Sequence, residues 1–575
     1  MNKYIFYIVA IVILFCSNIK IVLSQEFDVR DYRTVNNYKT ISDSANSFFE
    51  GTYQTTESGD YARYQRWDMF WKFRNSEYNS QNPGDFAPIM NAYKALYNQS
   101  FPQNSTESNW QLLGPKKNLS NSDGDLGIIV SIAGHPTNQN IVYVGSNSSG
   151  LWKTENFLDP IPNWSCITDV LNIPLLGVND VQVDPNNPQT MYIATGTVAG
   201  NSGGIGLGIL RSDDGGQTWS LKNPIGLSDR SLSRRIAINS VNSNVVYALI
   251  DDKLYKSTNK GDSWNVIFTL PNSVGDNPCN PNGSARFLVD IELKPGDPST
   301  IYISSDYAEC ALANHPNSGA LIYKSTDAGI NFNILQPEGT STQTTMTKLA
   351  VSEDEPNSLF VVYDQKLFKS SDSGNNWNLI NSNLSIGGLG FWMSEVEVSP
   401  ADASRIYICG LYVHASDDGG NSFSITNSGH VDARRLFIPY ADADVDKIIL
   451  GNDGGVMYTV DKGNPWACKN GVGLAITQYY GIGVSEKHHI AGGSQDNDVS
   501  FNDGRNWKLP TLVQDGAEVV FDDNNPDIAY VQKWCCSPGN KHIFKYTHNG
   551  TSWSSNFTDY KPSGHANNVR PMLMQ

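Results

Sequence analysis

Arg211-Ser-Asp-Asp-Gly-Gly-Gln-Thr-Trp-Ser220 is one instance of a phrase that runs through most of this chain of 575 residues. Its skeleton is Ser212-x-Asp214-x-Gly216-x-x-Trp219. Copies stand at Ser257 to Trp264, Ser325 to Phe332, Ser370 to Trp377 and Ser416 to Phe423. Weaker copies run from Thr459 to Trp466, Ser500 to Trp507 and Tyr546 to Trp553. The starts lie 45, 68, 45, 46, 43, 41 and 46 residues apart. A fixed period of this size marks a repeat architecture. Glycine supplies the left-handed backbone conformation of a tight turn, and the acid or amide caps backbone N–H groups within it. Ser or Thr adds a further local bond, and the aromatic residue folds back to bury its face. Asp214, Asp327, Asp372, Asp418, Trp219, Trp264 and Trp377 are therefore read as structural residues. A catalytic or metal role for every turn acid is the weaker reading, because function sits in sites grafted onto a fold.

Around each turn the grammar repeats. A short apolar strand such as Gly127 to Ala133 leads into a polar turn, His135-Pro-Thr-Asn, and then a strand rich in β-formers, Ile141 to Gly145. The polar turn recurs at Asp184-Pro, Lys294-Pro, Ser399-Pro and Asp523-Asn-Asn-Pro526. A third strand, the Asp turn and a fourth strand complete the unit. Four short strands in about 40–50 residues describe a β-propeller blade. Nine blades can be counted, the first ending near Trp164. Seven would close a ring near residue 467 and the rest would begin a second ring; a single ring of nine or ten blades is the alternative. Strands running outward from the centre put the Pro and Asp turns on one face, the bottom. Loops between second and third strands, and those leading into each blade, fall on the top and are free to carry a site.

The N-terminus has another character. Lys3 precedes an apolar run from Tyr4 to Cys16, and Val22 and Ser24 suit a signal-peptidase site, so residues 1–24 read as a signal peptide and the protein as secreted or held at the cell surface. No other stretch is apolar enough to span a membrane. Residues 25–109 lack the repeat and read as a helical extension, with helices at Tyr61 to Arg74 and Phe86 to Tyr97. Residues 110–467 form the propeller, and 468–575 carry further blades. The net charge of −17 argues against nucleic acid and anionic membranes as partners. Beyond the signal lie seven cysteines, of which Cys279 and Cys310 are the favoured pair; no Cys-x-x-Cys spacing suggests zinc.

The turn phrases resemble the Asp-box, or bacterial neuraminidase repeat. With Val142-Tyr-Val-Gly145, Gly150-Leu-Trp-Lys-Thr154, Leu450-Gly-Asn-Asp-Gly-Gly455 and Gly492-Gly-Ser-Gln-Asp-Asn497, residues 110–575 look like secreted propellers of the sortilin-like, xyloglucanase-related group. The resemblance implies an all-β, multi-bladed Asp-box propeller. It implies activity less strictly, since such propellers include sialidases, xyloglucanases, receptors and assembly factors. In the xyloglucanase pattern one acid stands in the first blade, where this chain has Asn147, and an amide cannot do that proton transfer. The second acid would fall near Asn452 or Asp453. The sialidase arginine triad cannot be assembled, because Phe437-Ile-Pro439 carries no Arg.

The richest top loops contain Asp306, Asp453, Gln495, Asp496, Asn497 and Asp515. Trp392, Tyr479, Tyr480 and Trp534 could line the same face. Carboxylates, amides and aromatic faces together suit sugar recognition; turn-capping is the bland reading for Asp453 and Asp496. No cofactor is expected, although Asp496, Asp498 and nearby carbonyls would also suit calcium. His430, Arg434 and Arg435 read as an anion site or as partners of nearby acids. The first expectation is a recognition or scaffold protein binding a polysaccharide or extracellular protein without turnover. The alternative is a polysaccharide hydrolase using Asp453 or Asp496 with Asp306. A sortilin-like receptor ectodomain is third.

Overall fold

The computed structural model describes residues 126–556 apart from short loop stretches such as 272–286 and 307–319, together with 112–117 and a few positions between 42 and 47. The expected signal peptide, both N-terminal helices and the Cys279–Cys310 pair lie outside the described residues. Cys166 and Cys409 are free thiols. No described helix is long and apolar enough to cross a membrane.

Among the described residues are nine four-stranded sheets, each strand pairing antiparallel with the one before it in sequence. They span residues 129–166, 178–221, 233–269, 288–335, 347–381, 395–426, 435–468, 479–508 and 515–556. This is a multi-bladed β-propeller. In the first five sheets the second strand lies inside the sheet and is buried along its whole length, so it reads as a largely apolar run. Tyr143, Tyr192, Tyr247, Tyr302 and Tyr407 recur in second strands at matching positions, each at most 2% exposed.

Packing between sheets forms a closed circuit of seven. First and second sheets share a core around Tyr143, Val178 and Val181. Equivalent cores join each following pair, ending with sixth and seventh around Tyr407, Leu436 and Leu450. The seventh returns to the first through Ile129, Val144, Trp152, Ile449 and Val456, sealed by Leu474 and Ile476. Trp164 Nε1 donates to the Lys469 carbonyl across this closure at 2.9 Å. The eighth and ninth sheets share a core of their own, with Phe501, Val519, Phe521 and Trp553.

The repeated phrase forms the turn between third and fourth strands, and its second role is to lock neighbouring sheets. Ser212 Oγ accepts the Gly216 N–H and donates to Asp214 Oδ1, both at 2.8 Å. Asp214 also accepts the Thr218 N–H at 2.9 Å. Trp219 Nε1 then reaches back to the Ile167 carbonyl at the edge of the first sheet, at 3.0 Å. Trp264 does the same to Lys222 at 2.6 Å. Gly216 has φ +93°, and a Cβ there would come within 2.5 Å of Ile167 Cδ1. The glycine thus meets both a backbone demand and a close approach of the preceding sheet.

The innermost strands face the centre of the circuit with charge rather than apolar groups. Asp180, Arg235, Asp290, Lys348, Glu395 and Arg435 come from six of the seven. Arg235 Nη2 donates to both Glu395 oxygens, at 2.9 and 2.7 Å, and Lys348 Nζ lies 3.3 Å from Glu395. Arg435 donates to the same carboxylate. Asp180 and Asp290 each accept a backbone N–H of the next inner strand, from Ile236 at 2.8 Å and Leu349 at 3.0 Å. This ion-paired network fills a space that apolar side chains would otherwise have to close.

Candidate functional site

The candidate site is the top-face seam between the seventh and eighth sheets. Asp453 sits in the tight turn between Ile448–Asn452 and Gly455–Thr459, and is fully buried. Arg434, just before the strand Arg435–Phe437, grips it with Nε and Nη2, the latter at 2.6 Å from Asp453 Oδ2. Burial opposes the Arg434 charge, but Asp453, Asp432 and Asp496 overcome it and hold its pKa above the ordinary value. The carboxylate oxygens of Asp432, Asp453 and Asp496 lie within 4.8 Å of one another. Asp432 and Asp496 are half-buried, and both have left-handed backbones, with φ 64° and 55°.

Two bonds join the loops across the seam. A His430 ring nitrogen lies 3.0 Å from the Asp496 carbonyl, and Asn497 Nδ2 donates to the Asp453 carbonyl at 2.9 Å. Nearby, Gln478 ties the first sheet to the lead-in of the eighth. Its Nε2 donates to Ser148 Oγ at 2.8 Å, and its Oε1 accepts from Asn147 Nδ2 at 3.4 Å. Asn147 is itself buried, at 1% exposed.

Several expected residues are placed differently. Asp453 is enclosed and paired, so it holds the seam and presents no free carboxylate. Asp306 belongs to the fourth sheet, on the far side of the circuit, where its Oδ1 accepts the Phe287 N–H at 2.6 Å. Tyr480 is 6% exposed, which corrects its expected role as a sugar platform: stacking needs an open ring face. The Tyr479 ring lies against Gly492 and stacks on Trp507 with centroids 6.0 Å apart. Its hydroxyl meets Ser500 Oγ at 2.6 Å, and burial raises its pKa. Asp498 turns its carboxylate onto the Val499 N–H at 2.7 Å, so the acids gathered around Asp496 are Asp432 and Asp453 instead. Trp392 and Gln495, and the side chains of Asp515 and Trp534, lie outside the described residues. Sequence reasoning missed Asp432, whose signal is its position two residues before Arg434 in a loop leading into a blade.

Fold and seam together define a propeller with half-buried carboxylates gathered around an arginine on its top face. Its similarity to known proteins is consistent with this. No protein-family model matches the chain. It is 26% identical over 219 residues to a xyloglucanase of Hypocrea jecorina (strain QM6a), which covers 36% of this chain and 26% of that protein. It is 23% identical over 323 residues to a xyloglucanase of Paenibacillus sp, covering 53% and 30%. The chain therefore matches less than a third of the length of these curated relatives. Among solved structures, an ancestral GH74 enzyme superposes with a TM-score of 0.52 at 16% identity, over 77% of this chain and 64% of that one, which supports the fold. The first expectation, a recognition or scaffold protein without turnover, is overturned by these relatives: they are named as enzymes, and they favour the hydrolase alternative.

Proposed function

We propose that the chain acts as a glycoside hydrolase on a xyloglucan-type polysaccharide outside the cell, through the top-face seam. The observation that carries this reading is the similarity to xyloglucanases over 219 and 323 residues. Glycoside hydrolysis needs carboxyl groups that reach both the bond and water. Asp496 and Asp432 are the half-exposed acids of the seam, and Asp496 takes the acid–base role. Asp453 holds Arg434 in place. Asn147 occupies the position of the first acid in the xyloglucanase pattern and contributes an amide contact. The repeated turns, in the same reading, are Asp-boxes.

The test is release of reducing ends from xyloglucan by the purified chain and by Asp496→Asn. Loss of an acid–base group lowers the rate about 10²–10⁴-fold. The melting temperature of Asp496→Asn should stay near that of the parent. Absence of turnover by the parent chain, or an unchanged rate in Asp496→Asn, would overturn the proposal.

A further inference from the structure

The eighth copy of the turn phrase, Tyr546 to Trp553, places His548 where Asp214, Asp327, Asp372 and Asp418 stand in the strong copies. Those acids cap their own turns. Here the capping is done one residue later: Asn549 Oδ1 accepts the N–H groups of Thr551 at 3.0 Å and Ser552 at 2.8 Å. His548 is therefore released from the turn. Its Nδ1 lies 3.8 Å from Asp527 Oδ1. From the preceding sheet His489 brings its Nδ1 to 4.0 Å from the same oxygen. The turn Ser485 to His489 fixes it there, with Ser485 Oγ accepting the His489 N–H at 3.1 Å. One donor atom from each of the three side chains lies within 4.8 Å of the others.

The two imidazoles meet edge to face with centroids 4.7 Å apart. Trp553 packs against both, at 5.5 and 5.1 Å, and shields them from water. His489 is only 7% exposed, yet its Nδ1 makes no hydrogen bond, and neither does Nε2 of His548. A buried, unmet ring nitrogen is costly and calls for a partner. Lys487 Nζ holds the other Asp527 oxygen at 2.5 Å, leaving Oδ1 turned toward the histidines.

We propose that His489 Nδ1, Asp527 Oδ1 and a ring nitrogen of His548 bind a divalent first-row metal ion of the Zn²⁺ type on the bottom face, stapling the eighth sheet to the ninth. Two imidazoles and a carboxylate are a ligand set that zinc accepts, with water in the fourth position. Zinc–ligand bonds of about 2.0–2.2 Å separate tetrahedral ligands by roughly 3.4 Å, so the two distances to Asp527 Oδ1 close by about half an ångström on binding, and the histidine nitrogens, within 4.8 Å of each other, by at most about 1.4 Å. Oxygen-preferring Ca²⁺ and Mg²⁺ are disfavoured by the two nitrogens.

The experiment titrates the metal-stripped full chain with ZnCl₂, reading stoichiometry with a competing chromophoric chelator and the melting temperature in parallel. One Zn²⁺ should bind with a dissociation constant of about 1 μM or tighter and raise the melting temperature. Co²⁺ in its place should give the intense visible bands of a tetrahedral site. His489→Gln and His548→Gln should each weaken binding at least about tenfold. Asn549 caps the turn without residue 548, so His548→Gln keeps the fold. Lys487→Ala removes the cation competing for Asp527 and should tighten Zn²⁺ binding. No stoichiometric Zn²⁺, binding unchanged in both histidine variants, or no tightening in Lys487→Ala would overturn the proposal.

Discussion

Asp453→Asn is the substitution that most directly separates holding from chemistry at the seam. The Asp453 carboxylate is fully buried and accepts two N–H groups from Arg434. Asparagine fits the space but turns one acceptor into a donor facing a donor, and leaves the guanidinium charge short of its main partner. Breaking a buried ion pair costs about 3–5 kcal/mol. Arg434 still feels Asp432 and Asp496, which puts the expected loss near the lower end, about 3 kcal/mol. At half-buried Asp496 the same change should cost less than about 1 kcal/mol. Urea unfolding followed by tryptophan fluorescence reads both. Arg434→Met combined with Asp453→Leu removes the pair together, and should be milder than the summed single changes by about 1–3 kcal/mol. If Asp453→Asn unfolds within about 1 kcal/mol of the parent, the pair does not hold the seam and the division of roles between Asp453 and Asp496 is wrong.

Further predictions concern the centre of the circuit and the repeated turn. Burial pushes Glu397 up to about 7, with Glu395 and Asp290 adding to it against the pull of Arg435. Between the ordinary value of 4.5 and about 7 the folded chain holds a proton that the unfolded chain has lost, so this group's contribution is full below that window and falls as pH rises through it. Glu397→Gln should flatten that fall in a series of urea midpoints; an unchanged slope would exclude Glu397 as its source. Glu395 acts in the opposite sense. Burial opposes its charge, but Arg235, Arg435 and Lys348 bring it down to about 2, so its contribution is present above 4.5 and lost as pH falls through about 2. Gly420→Ala combines φ +92° with a Cβ 2.3 Å from Leu367 Cδ2 on the neighbouring sheet, and should cost about 1–3 kcal/mol. Gly504→Ala, with φ +86° and open space, should cost visibly less; equal losses would mean that the approach of the neighbouring sheet does not matter.

Much of the fold was legible because its signals are local. A Gly in a left-handed turn, an Asp that caps the same turn and an aromatic residue a few positions on are read from neighbours in sequence, and their period counts the sheets. The central charge network left a trace that went unread: Asp180, Arg235 and Asp290 each put a charge at the third position of a first strand. Unexplained charges at matching repeat positions point to a shared interior. His548 left a trace too, as a histidine standing where the turn requires an acid.

Strand order, turn chemistry and the two faces of each sheet follow from the sequence, because they depend on residues within one repeat. Closure after seven sheets depends on side chains some 300 residues apart, such as Trp164 and Lys469, meeting at one seam. The same holds for the acids. Asp453 and Asp496 look equivalent in sequence, each a carboxylate beside glycines or amides in a top loop. Only packing buries one under Arg434 and leaves the other half-open, because burial and pairing are set by what the rest of the chain brings to the site.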